Sequence, residues 1–267
     1  MDDAHTDDAE SRYRAPALDK GLDILEVLSG QARGLTRAEI VKALGLSPSQ
    51  IYRMLERLVA RGYVARLDGG DRYALTMRMF LLATRHPPLR RLLADAQPLM
   101  DEFSRQVGQS CHLVVPEQGT GIVVAQASPM GHWEFRARLG AQLDLFTTGS
   151  GLTLLAFQDP ADIVQTLGCW GVADAARRLA GLEGHLAEVR AQGARIGPSG
   201  QLVGVTDISV PVPGPGGVAV AALTCAFIAH PEAVQSHDRD GALAALRGAA
   251  AALAAVEGLS EARGATL

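Results

Sequence analysis

Polar and basic side chains gather on one side of the helix that we predict for residues 48–61. Gln50 has the amide group that pairs with adenine, and Arg53 and Arg57 can reach a guanine or a phosphate. Free backbone amides at a helix start attract anions, so the serines beside them suit a phosphate oxygen. The same pattern, taken alone, is also typical of a solvated helix face. The candidate nucleic-acid contacts on this helix are Ser47, Ser49, Gln50, Tyr52, Arg53 and Arg57.

A second candidate for chemistry is the sequence Gly149-Ser150-Gly151, at the start of a helix predicted for residues 149–157. Glycines at a helix start expose backbone amides, which suit an anion such as a carboxylate. The sequence is not the nucleophile elbow of a serine hydrolase, because Thr148 stands where that motif needs glycine. An ordinary tight turn before a helix explains these residues equally well.

The rest of the chain offers little for catalysis. It has no glycine-rich dinucleotide or phosphate loop, and its histidines lack metal-ligand spacing. Cys111 beside His112 resembles a thiol–imidazole pair, but neighbours on a strand point to opposite faces. We therefore predict a small buried Cys111 and an exposed His112. We expect no catalytic residue, no metal and no cofactor, and hence no enzyme.

The elements that position the polar helix follow a familiar order. Apolar spacing predicts a first helix over residues 17–28. Thr36 and Glu39 have the spacing of a capping box at the start of a short second helix, which ends at Gly45. The polar helix over residues 48–61 comes next. A short helix, a tight turn and a longer helix predict a helix-turn-helix.

The polar helix has its own start signals and is followed by a predicted hairpin. Ser47 is the expected cap, with Gln50 as its reciprocal partner. In residues 63–75, two alternating apolar runs flank a glycine-rich turn, which indicates two antiparallel strands. Directly after a recognition helix such a hairpin is a wing. Arg66 and Arg72 near its tip are therefore further candidates for contact with the DNA backbone or minor groove.

Charge is distributed unevenly along the chain. Residues 16–90 hold twelve Lys and Arg against seven acids, whereas residues 91–267 hold eleven Arg against seventeen acids. The first fifteen residues hold two Arg against five acids and indicate a disordered acidic tail. The basic segment favours a polyanionic partner for the amino-terminal part alone.

Composition sets the broad class. The chain is 48% hydrophobic and 20% charged, an ordinary balance for a globular protein. Its three cysteines are far apart and lack metal-site spacing, which favours a reducing compartment. The start of the chain is acidic, unlike a signal peptide, and the longest apolar run, residues 218–229, is too short to cross a bilayer. We therefore expect a cytoplasmic protein with no membrane partner.

The region after the wing changes in character. A helix over residues 76–83, broken by His86 and two prolines, precedes two helical stretches over residues 89–96 and 98–107. Hairpin-linked strands with flanking helices then indicate an α+β domain on an antiparallel sheet. The predicted strands are residues 111–115, 121–127, 133–139, 202–212 and 217–228, and the predicted helices are residues 149–157, 160–167, 182–191 and 243–256.

From about residue 17 to residue 256 the chain resembles the IclR family of bacterial transcriptional regulators. Several ordered motifs carry the resemblance: Ala17-Leu-Asp-Lys-Gly-Leu-Asp-Ile-Leu25, Leu46-Ser-Pro-Ser-Gln-Ile-Tyr-Arg-Met-Leu55, Gly62-Tyr-Val64, Thr147-Thr-Gly-Ser-Gly151, Gly204-Val-Thr-Asp-Ile-Ser-Val-Pro211 and Ala221-Ala-Leu-Thr224.

The resemblance implies a domain plan and two partners. An acidic tail over residues 1–15 would precede a winged helix-turn-helix domain over residues 16–76 and a linker helix over residues 77–90. A GAF/profilin-like effector-binding domain would occupy residues 91–260. The family implies a homodimer or homotetramer on a near-palindromic double-stranded operator, with an organic or aromatic acid or a related compound as effector. Its pocket motifs carry over to His132, Phe135, Gly149, Ser150, Asp207, Thr224 and Ala226.

Three positions depart from the family pattern. Leu152 stands where the family commonly has lysine, and Ala226 replaces a frequent small polar residue. Asp207 would repel a carboxylate ligand unless it is protonated or paired with a cation. We therefore expect a larger, more apolar or hydroxylated effector rather than a short 2-oxo acid.

Two other functions remain as alternatives at this point. The chain could be a small-molecule enzyme whose first domain only binds a partner, although it lacks a nucleophile–base pair. It could also be an architectural DNA-binding protein that responds to no ligand. A roomy pocket with convergent polar groups in the second domain would disfavour the latter.

Overall fold

The computed structural model describes residues 15–67, 69–130, 135–229 and 237–256. These residues form two compact units, one ending at His86 and the other beginning at Pro87. The predicted acidic tail lies outside the described residues except for Ala15. Of the helices in the described ranges, none is both long and apolar enough to cross a membrane.

The first unit is a three-helix domain with a small antiparallel sheet, whose strand order is β1-β3-β2. Its core consists of seven buried side chains: Ile24, Leu28, Ile40, Ile51, Leu55, Val64 and Tyr73. Its elements are α1 (Pro16–Ser29), β1 (Leu35–Thr36), α2 (Arg37–Leu44), α3 (Pro48–Ala60), β2 (Val64–Arg66) and β3 (Arg72–Leu75). The predicted winged helix-turn-helix is confirmed.

Local signals at the helix ends largely act as predicted. The Thr36 hydroxyl accepts a hydrogen bond from the Glu39 amide, and the Glu39 carboxylate accepts one from the Thr36 amide. Gly45 ends α2 in the left-handed conformation. The predicted cap at Ser47 is only half right, because the residue occupies the cap position but its side chain makes no capping bond. Its hydroxyl instead lies 3.3 Å from the Ser49 hydroxyl.

The segment predicted as a linker, residues 77–90, contains helix α4 (Arg78–Ala83), a break, and the first turn of α5 (Pro87–Val107). The prediction of two helical stretches separated before Pro98 is wrong, because α5 runs through that proline. A proline removes one hydrogen bond, and here the buried face of the helix compensates for that loss. That face consists of Leu92, Ala96, Met100, Phe103 and Val107.

The second unit is built on a six-stranded antiparallel sheet of order β6-β5-β4-β9-β8-β7. Hairpin-linked strands and flanking helices confirm the α+β prediction. The strands are β4 (Cys111–Glu117), β5 (Thr120–Ala127), β6 (Gln142–Asp144), β7 (Arg195–Pro198), β8 (Val205–Pro213) and β9 (Ala219–Ile228). The helices after α5 are α6 (Gly149–Ala156), α7 (Pro160–Cys169), α8 (Ala175–Ala180), α9 (Glu183–Gln192) and α10 (Arg239–Ala254).

The sheet separates two apolar layers. On one face, Cys111 and Leu113 pack with α5 and α10. On the other face, Val114 and Ala222 pack with α6, α7 and α9. Because side chains alternate along a strand, His112 and Thr224 face the side that α6 covers.

One predicted strand does not form in its described residues, and four short elements were not predicted. Residues 135–138 are not a strand, and Trp133 lies outside the described residues. The alternation of apolar and polar side chains predicted a strand there. The strand that pairs with β5 is instead β6, which follows a turn at Gly140 with φ 76°. The elements that the sequence did not indicate are β1, β6, β7 and α8, which are short and carry little apolar periodicity.

Candidate functional sites: an exposed helix face and a buried pocket

Helix α3 is amphipathic, and its polar side is open to solvent. Ile51 and Leu55 are fully buried and fix the helix against the first core. The residues predicted to contact nucleic acid project from the rest of its surface. Ser47, Ser49, Tyr52, Arg53 and Arg57 are exposed and Gln50 is partly buried.

Arg53 and Arg57 form no ion pair or hydrogen bond with any described residue. A guanidinium without a protein partner is available to a phosphate or a base edge. A third arginine on this surface was not predicted from the sequence. Arg37, the first residue of α2, places its guanidinium 4.9 Å from the centre of the Tyr52 ring, a cation–π distance.

The two wing arginines are already engaged inside the first unit. Arg72 donates to the Gly34 carbonyl at 3.1 Å and lies 3.4 Å from the Glu39 carboxylate. Arg66 forms an ion pair with Glu56 of α3. The wing is present as predicted, but neither arginine is free.

A small cavity lies in the second unit where the start of α6 meets strands β4, β8 and β9. Its volume is about 30 Å³, enough for water molecules but not for an aromatic ring. Apolar and polar side chains line it together: His112, Phe135, Leu143, Thr148, Gly149, Ser150, Ser199, Gln201, Leu202, Asp207, Thr224 and Ala226.

A chain of hydrogen bonds runs along the floor of this pocket. His112 Nε2 lies 3.3 Å from Ser150 Oγ, which lies 2.9 Å from Thr224 Oγ1. Thr224 Oγ1 is in turn 2.7 Å from Ser209 Oγ. All four side chains are buried, so their polar atoms have little water available and depend on one another.

The burial of His112 contradicts the prediction of an exposed histidine. Its neighbour Cys111 faces the other layer, as the alternation requires, so His112 turns toward the pocket rather than toward solvent. Burial lowers the pKa of His112 to about 4. The ring is therefore neutral near pH 7, with one nitrogen as donor and the other as acceptor.

Asp207 is the acidic residue that lines this pocket. A Cβ at Gly149 would lie 2.8 Å from Asp207 Cβ and 2.9 Å from its Oδ2, so only glycine permits this approach at the start of α6. Burial raises the pKa of Asp207, and the charge of Arg195, with Nη1 at 3.7 Å from Oδ2, opposes that rise. The Ser199 hydroxyl and the Gly149 amide also lower the pKa by donating hydrogen bonds.

Arg195 is held mainly by its own strand. Its guanidinium donates to the carbonyls of Gly197 at 3.0 Å and Pro198 at 2.7 Å. These bonds keep a buried cation beside Asp207, so the acid has the cationic partner that would let it tolerate a negatively charged ligand.

The structure brings six of the seven predicted pocket residues together: Phe135, Gly149, Ser150, Asp207, Thr224 and Ala226. His132 lies outside the described residues. Three further residues of this site, His112, Ser209 and Arg195, were not predicted from the sequence. Each is placed by strand pairing, since His112 and Ser209 lie opposite Thr224 and Arg195 lies opposite Ser209. Periodicity reveals which residues share a face but not this register, so no signal in the sequence assigned them.

Comparisons with known proteins agree with both parts of the chain. The family described as bacterial transcriptional regulator IclR C-terminal matches residues 89–255, and the IclR helix-turn-helix domain matches residues 17–68. The transcriptional regulator KdgR of Escherichia coli is 29% identical over 212 residues, which cover 78% of this chain and 80% of that protein. The glycerol operon regulatory protein of Streptomyces coelicolor is 30% identical over 152 residues, 54% of this chain and 56% of that protein.

A solved structure gives the same result for the fold. An IclR homolog from Microbacterium hydrocarbonoxydans, in complex with 4-hydroxybenzoate, is 25% identical with a TM-score of 0.69. The match covers 89% of this chain and 97% of that chain. The chain therefore belongs to the IclR family of transcriptional regulators, which are not enzymes, and it combines a helix-turn-helix DNA-binding domain with an effector-binding domain.

Proposed function

We propose that the polar face of α3 reads the operator of this regulator. The observation that carries the proposal is a pair of exposed arginines, Arg53 and Arg57, which have no partner among the described residues and lie on a helix fixed by Ile51 and Leu55. Arginine side chains supply both base contacts in the major groove and phosphate contacts. Ser47, Ser49, Gln50 and Tyr52 complete the proposed surface, with Arg37 added from α2 and Arg66 from the wing.

The operator contacts can be tested by footprinting and titration. Genomic fragments that the full-length protein retains would be mapped by footprinting, and the strongest site would be used for titrations. Loss of footprint in Arg53→Ala and Arg57→Ala, with an intact footprint in Arg190→Ala of the second unit, is the expected result. An unchanged footprint in both α3 variants would contradict the proposal.

We further propose that the protein acts as a homodimer or homotetramer whose first units meet through α4. Residues 77–82 leave five large apolar side chains exposed: Met77, Met79, Phe80, Leu81 and Leu82. A patch of this kind on a small unit is typical of a protein interface. A second copy is the fitting occupant, because two-fold related domains present two recognition helices to successive half-sites.

The assembly has a direct test in sedimentation. Phe80→Glu places a charge in the apolar patch and should lower the mass of the assembly, whereas Val203→Glu, at an exposed position of the second unit, should not. Equal masses for the Phe80→Glu variant and the unsubstituted protein would contradict α4 as the contact.

We propose that the effector binds in the pocket at the start of α6 and bears at least one hydroxyl group. Asp207 can accept a hydrogen bond from a ligand hydroxyl, and the neutral His112 and the Ser150 hydroxyl can accept or donate another. The relative that binds 4-hydroxybenzoate supports a hydroxylated aromatic acid as one member of this class. A ring of that size would have to displace the side chains of Phe135 and Leu202, because the cavity is small.

Calorimetry with hydroxylated aromatic compounds and with short 2-oxo acids tests the effector proposal. Binding of 4-hydroxybenzoate or 4-hydroxybenzyl alcohol, with loss of heat in Ser150→Val, is the expected result. If only pyruvate and other short 2-oxo acids bound, the proposal would be wrong.

Since its DNA partner lies in the bacterial cytoplasm, we place the protein there.

A further inference from the structure

The two wing arginines differ in what holds them. Arg72 bonds the Gly34 carbonyl and pairs with Glu39, whose carboxylate also caps α2 by accepting from the Thr36 amide at 2.7 Å. Breaking these contacts would disturb the start of a helix. Arg72 is therefore part of the scaffold of the first unit.

Arg66 has a looser attachment. It pairs with Glu56, and its guanidinium lies 5.7 Å from the centre of the buried Tyr73 ring. The side chains of Arg66 and Glu56 are 43% and 36% exposed. Ion pairs at this exposure add little to stability, so Arg66 can leave Glu56 without cost to the core.

Glu56 has an unfavourable position for a helix that meets DNA. It lies between Arg53 and Arg57 in the sequence and is the single acidic residue of α3, the helix proposed to read the operator. DNA phosphates repel a carboxylate that lies close to them. The ion pair with Arg66 removes this repulsion of Glu56, but it also neutralises the positive charge of Arg66. The wing therefore presents less positive charge to DNA than its sequence predicts.

We infer that Glu56 competes with DNA phosphate for Arg66 and so limits the affinity of this regulator for any duplex. The inference rests on the DNA-binding surface proposed above. On contact, Arg66 exchanges the Glu56 carboxylate for a phosphate oxygen. Phosphate contacts carry no sequence information, so this competition lowers non-specific retention and leaves base reading to α3.

The test uses the full-length protein and a fluorescently labelled duplex of mixed sequence, with anisotropy measured over a range of salt concentrations. Glu56→Gln should raise the affinity about two- to fivefold at low salt. The slope of log affinity against log salt should change by less than the ~0.9 of one full phosphate contact, because Arg66 already reaches phosphate in the unsubstituted complex. Arg66→Ala should weaken binding and reduce the slope.

A double-mutant cycle separates competition from simple repulsion. In the Arg66→Ala background the gain from Glu56→Gln should be smaller, because only the repulsion between the unpaired acid and phosphate is removed and no cation is released. Glu183→Gln, an exposed acid of the second unit, changes net charge equally and should leave binding unchanged in both backgrounds.

Two outcomes would overturn the inference while leaving the DNA-binding surface intact. One is wild-type affinity in Glu56→Gln, and the other is a gain from that change that is equally large without Arg66. If the unsubstituted protein failed to bind any duplex at low salt, the DNA-binding surface itself would be wrong, and the inference would fall with it.

Discussion

The two candidate sites differ in what fixes their side chains. On α3, only the buried side of the helix is fixed, and Arg53 and Arg57 end in solvent without a protein partner in the described ranges. In the pocket, His112, Ser150 and Thr224 hold one another through hydrogen bonds. A substitution on the first surface should therefore change binding alone, whereas one in the pocket should change both folding and binding. Four predictions test this contrast, from the largest expected effect to the smallest.

The largest effect should come from the helix that supports the pocket. A Cβ at Gly151 would lie 2.4 Å from Leu145 Cα and 2.5 Å from its carbonyl oxygen, which are backbone atoms that cannot move aside. Gly151→Ala should lower the free energy of unfolding of the second unit by roughly 3–4 kcal/mol. Urea titration followed by tryptophan fluorescence measures this, because both tryptophans belong to the second unit.

Gly168 provides the matched control for that substitution. It lies on α7, and a Cβ added there would have nothing within 4 Å, so Gly168→Ala should be neutral or add up to about 1 kcal/mol. Similar destabilisation by both substitutions would refute the steric explanation.

His112 should make the second unit sensitive to acid. Burial lowers the pKa of His112 to about 4 in the folded chain. The unfolded chain therefore binds a proton near pH 6.5, whereas the folded chain binds it only near pH 4. The free energy of unfolding should therefore fall by about 3 kcal/mol as the pH drops from 6.5 to 4. His112→Gln should flatten this part of the profile, whereas His185→Gln, an exposed histidine, should leave it unchanged. A steep profile in His112→Gln would assign the effect to another group.

Substitution of Arg53 should affect DNA binding without affecting stability. Arg53→Ala should weaken binding of the mapped operator by about 1–3 kcal/mol if the side chain makes a bidentate base contact. Its unfolding profile should match that of the unsubstituted protein. A loss of stability comparable to the loss of binding would show that this surface is not independent of the core.

The smallest effect should distinguish the two wing arginines. Arg72→Ala removes a bond to the Gly34 carbonyl and a pair with Glu39, and should cost the first unit about 1 kcal/mol. Arg66→Ala should lower protection less, because both ion pairs are exposed but only Arg72, among the described contacts, also donates to a backbone carbonyl. Hydrogen exchange of the amides in β3 and α2 measures both. Equal protection in the two variants would remove the distinction between a fixed and a releasable arginine.

The sequence predicted well those features that depend on a few neighbouring residues. The capping box of Thr36 and Glu39, the left-handed Gly45 and the wing between Tyr63 and Leu75 all follow local rules. The exposed face of α3 follows from its period alone. Six pocket residues could be named from the family resemblance, although their chemistry could not.

The errors arose where distant contacts decide the structure. Pro98 is a helix breaker by local rules, but the packing of α5 on the sheet overrides it. His112 was expected in solvent, because nothing near it in the sequence shows that α6 covers that face. The partners Asp207 and Arg195 come from strands whose register is set by pairing over the whole sheet.

The close packing of Asp207 on Gly149 has a consequence for how this lineage can change. Any side chain at position 149 would collide with Asp207. A larger residue at position 149 is therefore disfavoured as long as Asp207 is retained. Homologues with alanine at the first site should carry glycine at the second, because the collision includes the Cβ of Asp207. Coordinated replacement of the two would mark the branches where this regulator acquired a different signal.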